Sequence, residues 1–381
     1  MTKFFDPAFK VQVNGSALAA DISGQIRSVS VTHEINTANS FTFTLVNQYP
    51  KMRWTHTTDA DLFRIGGTVV IEMGYVSAAL QNLVDGEITA LEPSFPESGG
   101  PTLVVKGKNR AYKLQSPEQA LQFANLTDLE ILNKLVEKTG LTVQAEDTGA
   151  GQITRTEDKS TAWQYLLKRA SEINFEALVE GKTLIFRKAK LQTQAYSLEY
   201  GQSLKSFKPT LDLTKPVSKV EVRGNHDFAS DKDIVGKAGP GDELGGGSGQ
   251  KTAAQLAAEW LGSQAVEVVS KPVKTQKEAD DLAKAIYNQK LAKACTGDAS
   301  SVGIPDLRAG KVVELKGLGP LFSGQYKITK STHTLDEKAT RQPSAWKGRN
   351  SDGYQPSGCA RGRRRRSQPA DLRCGDRGRH Q

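Results

Sequence analysis

The chain has 381 residues, with 51 lysines and arginines against 42 aspartates and glutamates, which gives a formal net charge of +9. Residues 337–381 hold twelve of the basic and four of the acidic residues, so the first 336 residues are nearly neutral and offer no basic field for specific nucleic-acid binding. No run of eighteen apolar residues exists and the first residues lack an apolar signal region, so we expect no stable membrane insertion and no signal peptide.

The cysteine content excludes two further classes of protein. Cys295, Cys359 and Cys374 are too few and too far apart for a disulfide framework or a zinc site. We therefore expect a protein that is made and folds in a reducing cytoplasm. The length allows two to four domains with substantial cores, and the 35 glycines are typical of strands joined by many turns.

Residues 1–108 predict a β domain. Phe41, Phe43 and Leu45 stand at every second position, which is the period of a strand with one buried face. Other segments with strand character are 9–13, 26–34, 69–73, 87–91 and 101–106. Six or seven antiparallel strands at this spacing predict a first closed, or nearly closed, β-barrel.

Residues 109–192 predict a small α+β domain. Thr127 and Glu130 have the spacing of a capping box, and Gly140 is placed to end the helix that follows. A second helix carries Trp163 in an apolar stripe, which we assign to the core rather than to a ligand wall. The domain closes with a predicted hairpin whose strands are 175–179 and 184–186.

A second β-barrel is predicted from two separate segments, 193–225 and 300–336. Each has strand character, and the sequence between them does not. Residues 226–299 are predicted to be an insertion that contains a glycine-rich loop and two helices.

The stretches 67–92 and 303–336 resemble each other. In each, a glycine (Gly67 or Gly310) precedes a strand with two adjacent valines. In each, an Ile-Thr pair beginning at Ile88 or Ile328 lies in the strand after a glycine turn. Because glycine turns between short strands are common, the similarity is either accidental or the result of a duplicated β module, and we favour duplication.

The segment 337–381 differs from the rest of the chain. It is rich in arginine, includes the run Arg363 to Arg366, and has no strand or helix periodicity. One interpretation is a basic, disordered tail that binds nucleic acid or membrane. The other, which we favour, is a change of reading frame near Lys338, which would make the tail non-native sequence.

No residue pattern predicts catalysis, a cofactor or a metal. The histidines are scattered at positions 33, 56, 226, 333 and 380, without a metalloprotease motif. Residues 245–252, GGGSGQKT, fall short of a phosphate-binding loop and are predicted to be a flexible loop. Glu278, Asp280 and Asp281 fit a solvated helix face better than an acid/base pair. We therefore expect that the protein is not an enzyme.

Three segments resemble the phage late control gene D, or baseplate hub, proteins, which are related to the N-terminal part of VgrG spikes. The first begins with NRAYKL at 109–114 and continues through FANLTD at 123–128. The others are the helix and hairpin at 158–188 and the stretch 296–336. With the N-terminal β domain, the resemblance covers about 5–336.

The resemblance implies a fold and a role. The fold would be α+β, mainly β, with two tail-tube-like antiparallel β-barrels joined by smaller α+β domains. The role would be that of a homotrimeric adaptor in a baseplate, which joins a sixfold tail tube protein to a trimeric central spike protein and contacts other baseplate proteins. Such a protein would be assembled in the bacterial cytoplasm and would need no cofactor.

Two features of the chain limit the resemblance, and two other functions remain open. No strand pattern is visible after residue 336, and no spike domain follows, unlike in VgrG chains. The first alternative is a peptidoglycan- or sugar-binding tail-tip module that uses Trp54, Tyr75 or Tyr112 as stacking platforms. The second is a cell-wall-degrading tail enzyme, which would require a positioned pair of carboxylates.

Overall fold

We describe the protein from a computed structural model. The described residues are 6–47, 62–149, 151–189, 196–214, 217–227, 232–242, 253–262, 265–271, 273, 275–336 and 344–350. Over this part of the chain strands predominate over helices, as expected for a mainly β, α+β protein.

The first β module contains seven strands and one short helix. These are β1 (Pro7–Val13), β2 (Ser16–Ala17), α1 (Ala20–Ser23), β3 (Ile26–Glu34), β4 (Ser40–Val46), β5 (Thr68–Tyr75), β6 (Gln81–Ser94) and β7 (Thr102–Asn109). Their order in the sheet is β3-β4-β7-β6-β5-β1-β2, with antiparallel pairing throughout.

Strict alternation of side chains builds the core of this module. In β4, Phe41, Phe43 and Leu45 are almost fully buried, and the residues between them are half-buried. The same alternation places Val29 and Val31 of β3 inside. The period-2 pattern therefore predicted the buried face correctly, since successive strand side chains point to opposite faces.

The small α+β domain follows directly. It contains a 3-10 helix (Arg110–Leu114), β8 (Gln119–Leu126), α2 (Asp128–Val136), β9 (Thr142–Ala145), β10 (Ile153–Ser160), α3 (Ala162–Glu172), β11 (Phe175–Glu180) and β12 (Thr183–Lys188). The predicted capping box at Thr127 is present, because the Glu130 amide donates to Thr127 Oγ1 and Glu130 Oε2 accepts from the Thr127 amide. Trp163 lies in the hydrophobic core, as expected.

The remaining elements form an insertion within a second β module. In chain order they are β13 (Tyr196–Glu199), β14 (Leu204–Leu211), β15 (Lys219–Asp227), β16 (Lys232–Ala238), α4 (Ala253–Leu261), β17 (Val266–Ser270), α5 (Gln276–Ala294), β18 (Cys295–Ser301), β19 (Val312–Lys316), α6 (Gly319–Phe322), β20 (Gly324–Asp336) and β21 (Ser344–Asn350). The predicted flexible loop at 245–252 lies outside the described residues.

The insertion has a sheet of its own, which the sequence did not predict. β15 pairs with β16 and, in parallel, with β17, so β15 does not belong to the second β module as we expected. Helix α5 covers this sheet, and a Cβ atom at Gly236 would lie only 2.1 Å from the carbonyl carbon of Ala279. Val220 and Val222 are fully buried. Because Gly236 has no side chain, α5 lies close to the sheet, and Val220 and Val222 are buried in the core that the helix and the sheet share.

Residues 344–350 correct the expectation of a disordered segment beginning at 337. They form β21, which pairs antiparallel with β18 on one side and β20 on the other. The sequence SAWKGRN lacks apolar alternation, so its strand character was not visible. Backbone hydrogen bonds to two neighbours stabilise a strand whatever its side chains are. The other residues of 337–381 lie outside the described residues.

Both β modules belong to one sheet of thirteen strands. Its order is β14-β18-β21-β20-β3-β4-β7-β6-β5-β1-β2, with β19 on β20 and β13 on β19. The connection between the modules is the antiparallel pairing of β20 with β3. Closure of either module into a barrel stays a prediction.

The tight contact at Gly107 generates a test of this packing. A Cβ atom at Gly107 would lie 2.1 Å from Phe41 Cζ and 2.4 Å from the Glu87 carbonyl oxygen. We expect Gly107→Ala to lower the free energy of unfolding by about 1–3 kcal/mol, because a buried ring and backbone must shift. Gly100→Ala is the control, since nothing lies within 4 Å of its Cβ position. Equal thermal midpoints for the two variants in scanning calorimetry would contradict the packing.

Candidate functional site: the joint between two equivalent modules

A turn before β5 is fixed by three backbone hydrogen bonds. The Gly67 amide donates to the Arg64 carbonyl at 2.8 Å. The Gly66 amide donates to the Ile88 carbonyl at 2.8 Å, and the Ile88 amide donates to the Gly67 carbonyl at 2.9 Å. Gly66 has φ of 84°, a left-handed conformation that favours glycine. This turn ties the start of β5 to the middle of β6.

The turn before β19 repeats this arrangement bond for bond. The Lys311 amide donates to the Arg308 carbonyl at 3.1 Å. The Gly310 amide donates to the Ile328 carbonyl at 2.8 Å, and the Ile328 amide donates to the Lys311 carbonyl at 2.9 Å. Gly310 has φ of 90°. Gly310 therefore corresponds to Gly66, one residue from the match with Gly67 that the sequence had suggested.

The strand registers after the two turns are also the same. Thr68 pairs with Glu87 in the first module, and Val312 pairs with Lys327 in the second. Ile88 faces Gly107 and Ile328 faces Gly348, and each rung is followed by an irregularity in the register. The segments KGKN at 106–109 and KGRN at 347–350 thus occupy equivalent strand ends.

A third pair of strands extends the correspondence. β3 pairs with β4 as β14 pairs with β18, with a register shift between Ile26 and Ser28 and between Leu204 and Ser206. Five strands in the order β3-β4-β7-β6-β5 are therefore repeated as β14-β18-β21-β20-β19. Matching registers and bulges over five strands support duplication over accidental similarity.

The equivalence extends through β21, so it also bears on the proposed frame change. Residues 347–350 continue the pattern of the first module, and a frame change near Lys338 would have destroyed it. The expectation that native-like sequence ends at 336 is therefore wrong for residues 344–350.

Polar side chains reinforce the joint between β20 and β3. The joint contains seven registered residue pairs, from Lys330 opposite Glu34 to Asp336 opposite Ser28. Hydroxyls of Thr32 and Thr332 lie 3.1 Å apart, and Lys330 Nζ lies 2.9 Å from a carboxylate oxygen of Glu34. Cross-strand pairs of this kind add to the backbone hydrogen bonds of the sheet.

Two buried histidines, His33 and His333, lie on one face of the joint. They are 5% and 4% exposed, and their ring centroids are 5.9 Å apart. His33 Nε2 lies 2.7 Å from the Leu83 carbonyl oxygen, and His333 Nε2 lies 3.2 Å from that of Leu307. Since a carbonyl only accepts, each Nε2 carries the hydrogen, and His33 Nδ1 is an acceptor with no partner among the described residues.

The surroundings keep both imidazoles neutral. Burial, the neighbouring His333 and the Arg308 cation together lower the pKa of His33 to about 3, against the opposing effect of the hydrogen bond to Leu83. Burial and Arg308 lower the pKa of His333 to about 4. A charged imidazole is disfavoured here because it would lose its water and face a cation. Sequence analysis did not select these residues, although both continue the alternation of a buried strand face.

A cavity of about 240 Å³ lies beside His33. The two β modules and the small α+β domain all line it, through residues that include His33, Asn109, Val179 and Arg308. The side-chain Nδ2 atoms of Asn39 and Asn109 both donate to the Val179 carbonyl at 3.3 Å. The cavity therefore marks the point where three parts of the chain meet.

The small domain contacts equivalent positions of both modules. Glu87 accepts from Tyr112 at 2.7 Å and from Lys113 at 2.6 Å. At the equivalent position of the second module, Lys327 pairs with Glu176. These ion pairs have opposite polarity, but each connects one module to the small domain.

Two of the three candidate sugar-stacking residues form hydrogen bonds within the protein. The Tyr75 hydroxyl donates to the Gly303 carbonyl at 2.6 Å, which also connects the two modules. The Tyr112 hydroxyl donates to Glu87. Trp54 lies outside the described residues. Neither described tyrosine therefore presents its hydroxyl freely to a ligand.

In the part of the chain that the structure describes, the other candidate groups do not form a reactive cluster. Asp280 accepts from Gln276 at 3.0 Å on α5, and Glu278 lies in the first turn of that helix. His226 lies in β15, and the two histidines at 56 and 380 are outside the described residues. Within the described ranges, no three metal-ligating side chains converge and no helix is long and apolar enough to cross a membrane.

Acid should weaken the joint before most carboxylates titrate. The pKa values of His33 and His333 in the folded protein, about 3 and 4, lie below the ordinary 6.5. Between pH 6.5 and these values the unfolded chain therefore binds more protons than the folded protein, and acid favours unfolding. We expect a loss of roughly 4 kcal/mol of stability between pH 7 and pH 5. The measurement is the thermal midpoint against pH, with His33→Gln/His333→Gln as the non-titrating variant. An unchanged pH dependence in that variant would rule out this origin.

The ion pair between the small domain and β20 should also be important for stability. Glu176 is 5% exposed and lies between Arg187, at 2.9 Å, and Lys327. Glu176→Gln should cost about 3–5 kcal/mol because it leaves two partly buried cations unpaired. The control is Glu92→Gln, whose exposed pair with Lys106 should contribute about 1 kcal/mol or less. Urea denaturation measures both, and similar losses would contradict the assignment.

Solved structures with this fold include phage tail proteins. The 43 kDa tail protein of prophage MuSo2 from Shewanella oneidensis is 13% identical, with a TM-score of 0.65 over 92% of this chain and 100% of that chain. The tail protein from Neisseria meningitidis MC58 is 14% identical, with a TM-score of 0.64 over 92% and 99%. A type VI secretion system component of E. coli is 10% identical, with a TM-score of 0.54 over 91% and 79%. At these identities the comparison shows a shared fold.

Sequence comparisons identify the family. No curated protein matches the chain in sequence. The matching family model is that of the Alg8 N-terminal domain, over residues 6–337, and not that of the late control gene D proteins. The chain therefore belongs to the Alg8 N-terminal domain family.

Proposed function

We propose that the protein is the structural baseplate hub of a contractile phage tail or contractile injection system. In this role it is a homotrimer that joins a sixfold tail tube to a trimeric central spike. The observation that carries the proposal is the duplication of a five-strand unit with the same order and registers. Three copies of a chain with two equivalent units present six units in a ring, which matches sixfold symmetry on one side and threefold symmetry on the other.

The comparisons support a place in a tail. Two of the similar structures are described as tail proteins, and one is described as a type VI secretion component with similarity to phage tail proteins. A further similar structure is a VgrG complex from Francisella, with a TM-score of 0.56. The proposed partners are accordingly the tail tube protein, the central spike protein and other baseplate proteins.

The joint would make each chain a rigid pair of units. The first part of β20 pairs with β19, its last seven residues pair with β3, and β21 lies along its other edge. The small domain contacts both modules through Glu87 and Lys327, so it restrains rotation about the joint. A rigid pair maintains the angle between neighbouring units that a ring requires. The protein would act by geometry, without a reaction or a cofactor.

No observation favours the sugar-binding or lytic alternatives. The two described tyrosines form hydrogen bonds within the protein, and the cavity at the joint is lined by residues of three domains. We propose a component that is assembled in the bacterial cytoplasm and resides in the baseplate.

Light scattering tests the proposed assembly. We expect size-exclusion chromatography with multi-angle light scattering to give three times the 41.3 kDa mass of the chain, or, with the tube protein present, that mass plus the mass of the bound tube protein. A variant with Glu176→Gln should assemble less well if a rigid joint is required, whereas Glu92→Gln should assemble normally. A protein that stays monomeric and does not bind the tube protein at any concentration would contradict the proposed hub function.

A further inference from the structure

Several strand edges have no backbone partner among the described strands, and two of them belong to the repeated five-strand units. One is the half of β6 from Ala90 to Ser94, on the side away from β7, because β5 pairs only with the first half of β6. The other is β14, on the side away from β18. Unpaired edges expose N–H and C=O groups that can bind another strand.

These two edges are the equivalents of the two strands that form the joint. β6 corresponds to β20, and β14 corresponds to β3, by their matching registers. Within one chain, β20 of the second module pairs with β3 of the first. Each chain therefore carries a second set of complementary edges, β6 on the first module and β14 on the second. Within the chain these two edges do not pair with each other.

We propose that β6 of one copy pairs antiparallel with β14 of the next copy, in the register by which β20 pairs with β3. This inference rests on the proposed homotrimer and specifies the strands that form its interface. Each chain supplies one edge of each kind, so the contact is head-to-tail and can close a ring. All six contacts around that ring would then use the same backbone pairing.

The register of the joint specifies which residues meet. Ser331 pairs with His33 in the joint, and their equivalents are Leu91 and Leu211. The pair Leu335 and Val29 has the equivalents Phe95 and Phe207. Further predicted pairs are Ala90 with Asp212, Glu92 with Thr210, and Ser94 with Lys208.

The side chains of these pairs are compatible with an interface. Leu91 would face Leu211 on the face where Ser331 and His33 are buried in the joint. Leu91 and Leu211 are only half-buried in the single chain, and Phe95 is 53% exposed. Burial of these apolar groups between copies would favour association.

Each of the two edges carries one proline. Pro93 would face Pro209, at the rung equivalent to His333 and Val31. Neither proline has an N–H, so this rung carries no backbone hydrogen bond, and the pairs Leu91–Leu211 and Phe95–Phe207 would supply the backbone hydrogen bonds around it. Proline at a sheet edge discourages pairing with unrelated strands.

Disulfide cross-linking tests the register. The variant Leu91→Cys/Leu211→Cys is prepared with Cys359→Ser and Cys374→Ser, which removes the cysteines of the C-terminal segment. Residues directly opposite in an antiparallel pair have Cβ atoms close enough for a disulfide after small adjustments. Under mild oxidation, in the condition where light scattering finds the trimer, we expect most of the protein to shift to three times the chain mass on a non-reducing gel.

Two matched variants serve as controls. Glu92→Cys/Leu211→Cys displaces one partner by a single residue and places its side chain on the opposite face, so it should remain uncross-linked. Thr32→Cys/Thr332→Cys, at the joint itself, should form a disulfide within one chain and no higher species, because their hydroxyls lie 3.1 Å apart.

The outcomes separate this inference from the proposed function. A trimer by light scattering without a covalent trimer from the Leu91 and Leu211 pair overturns the strand pairing but leaves the hub. Equal cross-linking in the displaced control also overturns the register. Products that extend beyond three chains contradict ring closure, and a protein that stays monomeric with the tube protein removes both proposals.

Discussion

The pairing of β20 with β3 is the interaction on which the rest of the structure depends. β20 has thirteen residues because it serves two modules: its first part lies beside β19, and its last seven residues pair with β3. Backbone hydrogen bonds across seven rungs resist sliding, since a slip by one residue would turn every side chain to the other face. The buried histidines, the small domain and the cavity are all arranged around this pairing.

The two modules keep the same backbone while their side chains differ. In the first module the Phe41 ring covers Gly107. In the second module Gly297 stands where Phe41 would be, and the Phe207 ring of the neighbouring strand covers Gly297. Glu87 and Lys327 carry opposite charges at equivalent positions. Strand registers and bulges tolerate such changes because they are held by the backbone. The left-handed turns at Gly66 and Gly310 tolerate fewer substitutions, since glycine adopts that conformation without strain and other residues do not.

The most strongly perturbed titratable groups have a structural explanation. The most perturbed titratable groups, His33 and His333, are almost fully buried at a joint between modules, and each donates to a backbone carbonyl. Perturbed groups can mark active sites, but structural networks perturb pKa values as well. Here the arrangement explains why neutral histidines fit between strands, and it makes the joint sensitive to acid.

The sequence by itself determined the local features of this protein. Alternation predicted the buried face of β4, the spacing of Thr127 and Glu130 predicted a helix start, and repeated glycine and valine patterns indicated a duplication. These features depend on residues near one another in the chain. Only the tertiary structure decided that β21 completes the second module, that β15 belongs to a separate sheet, and that His33 meets His333. Such contacts join residues up to hundreds of positions apart, and their strand pairing depends on backbone groups that every sequence shares.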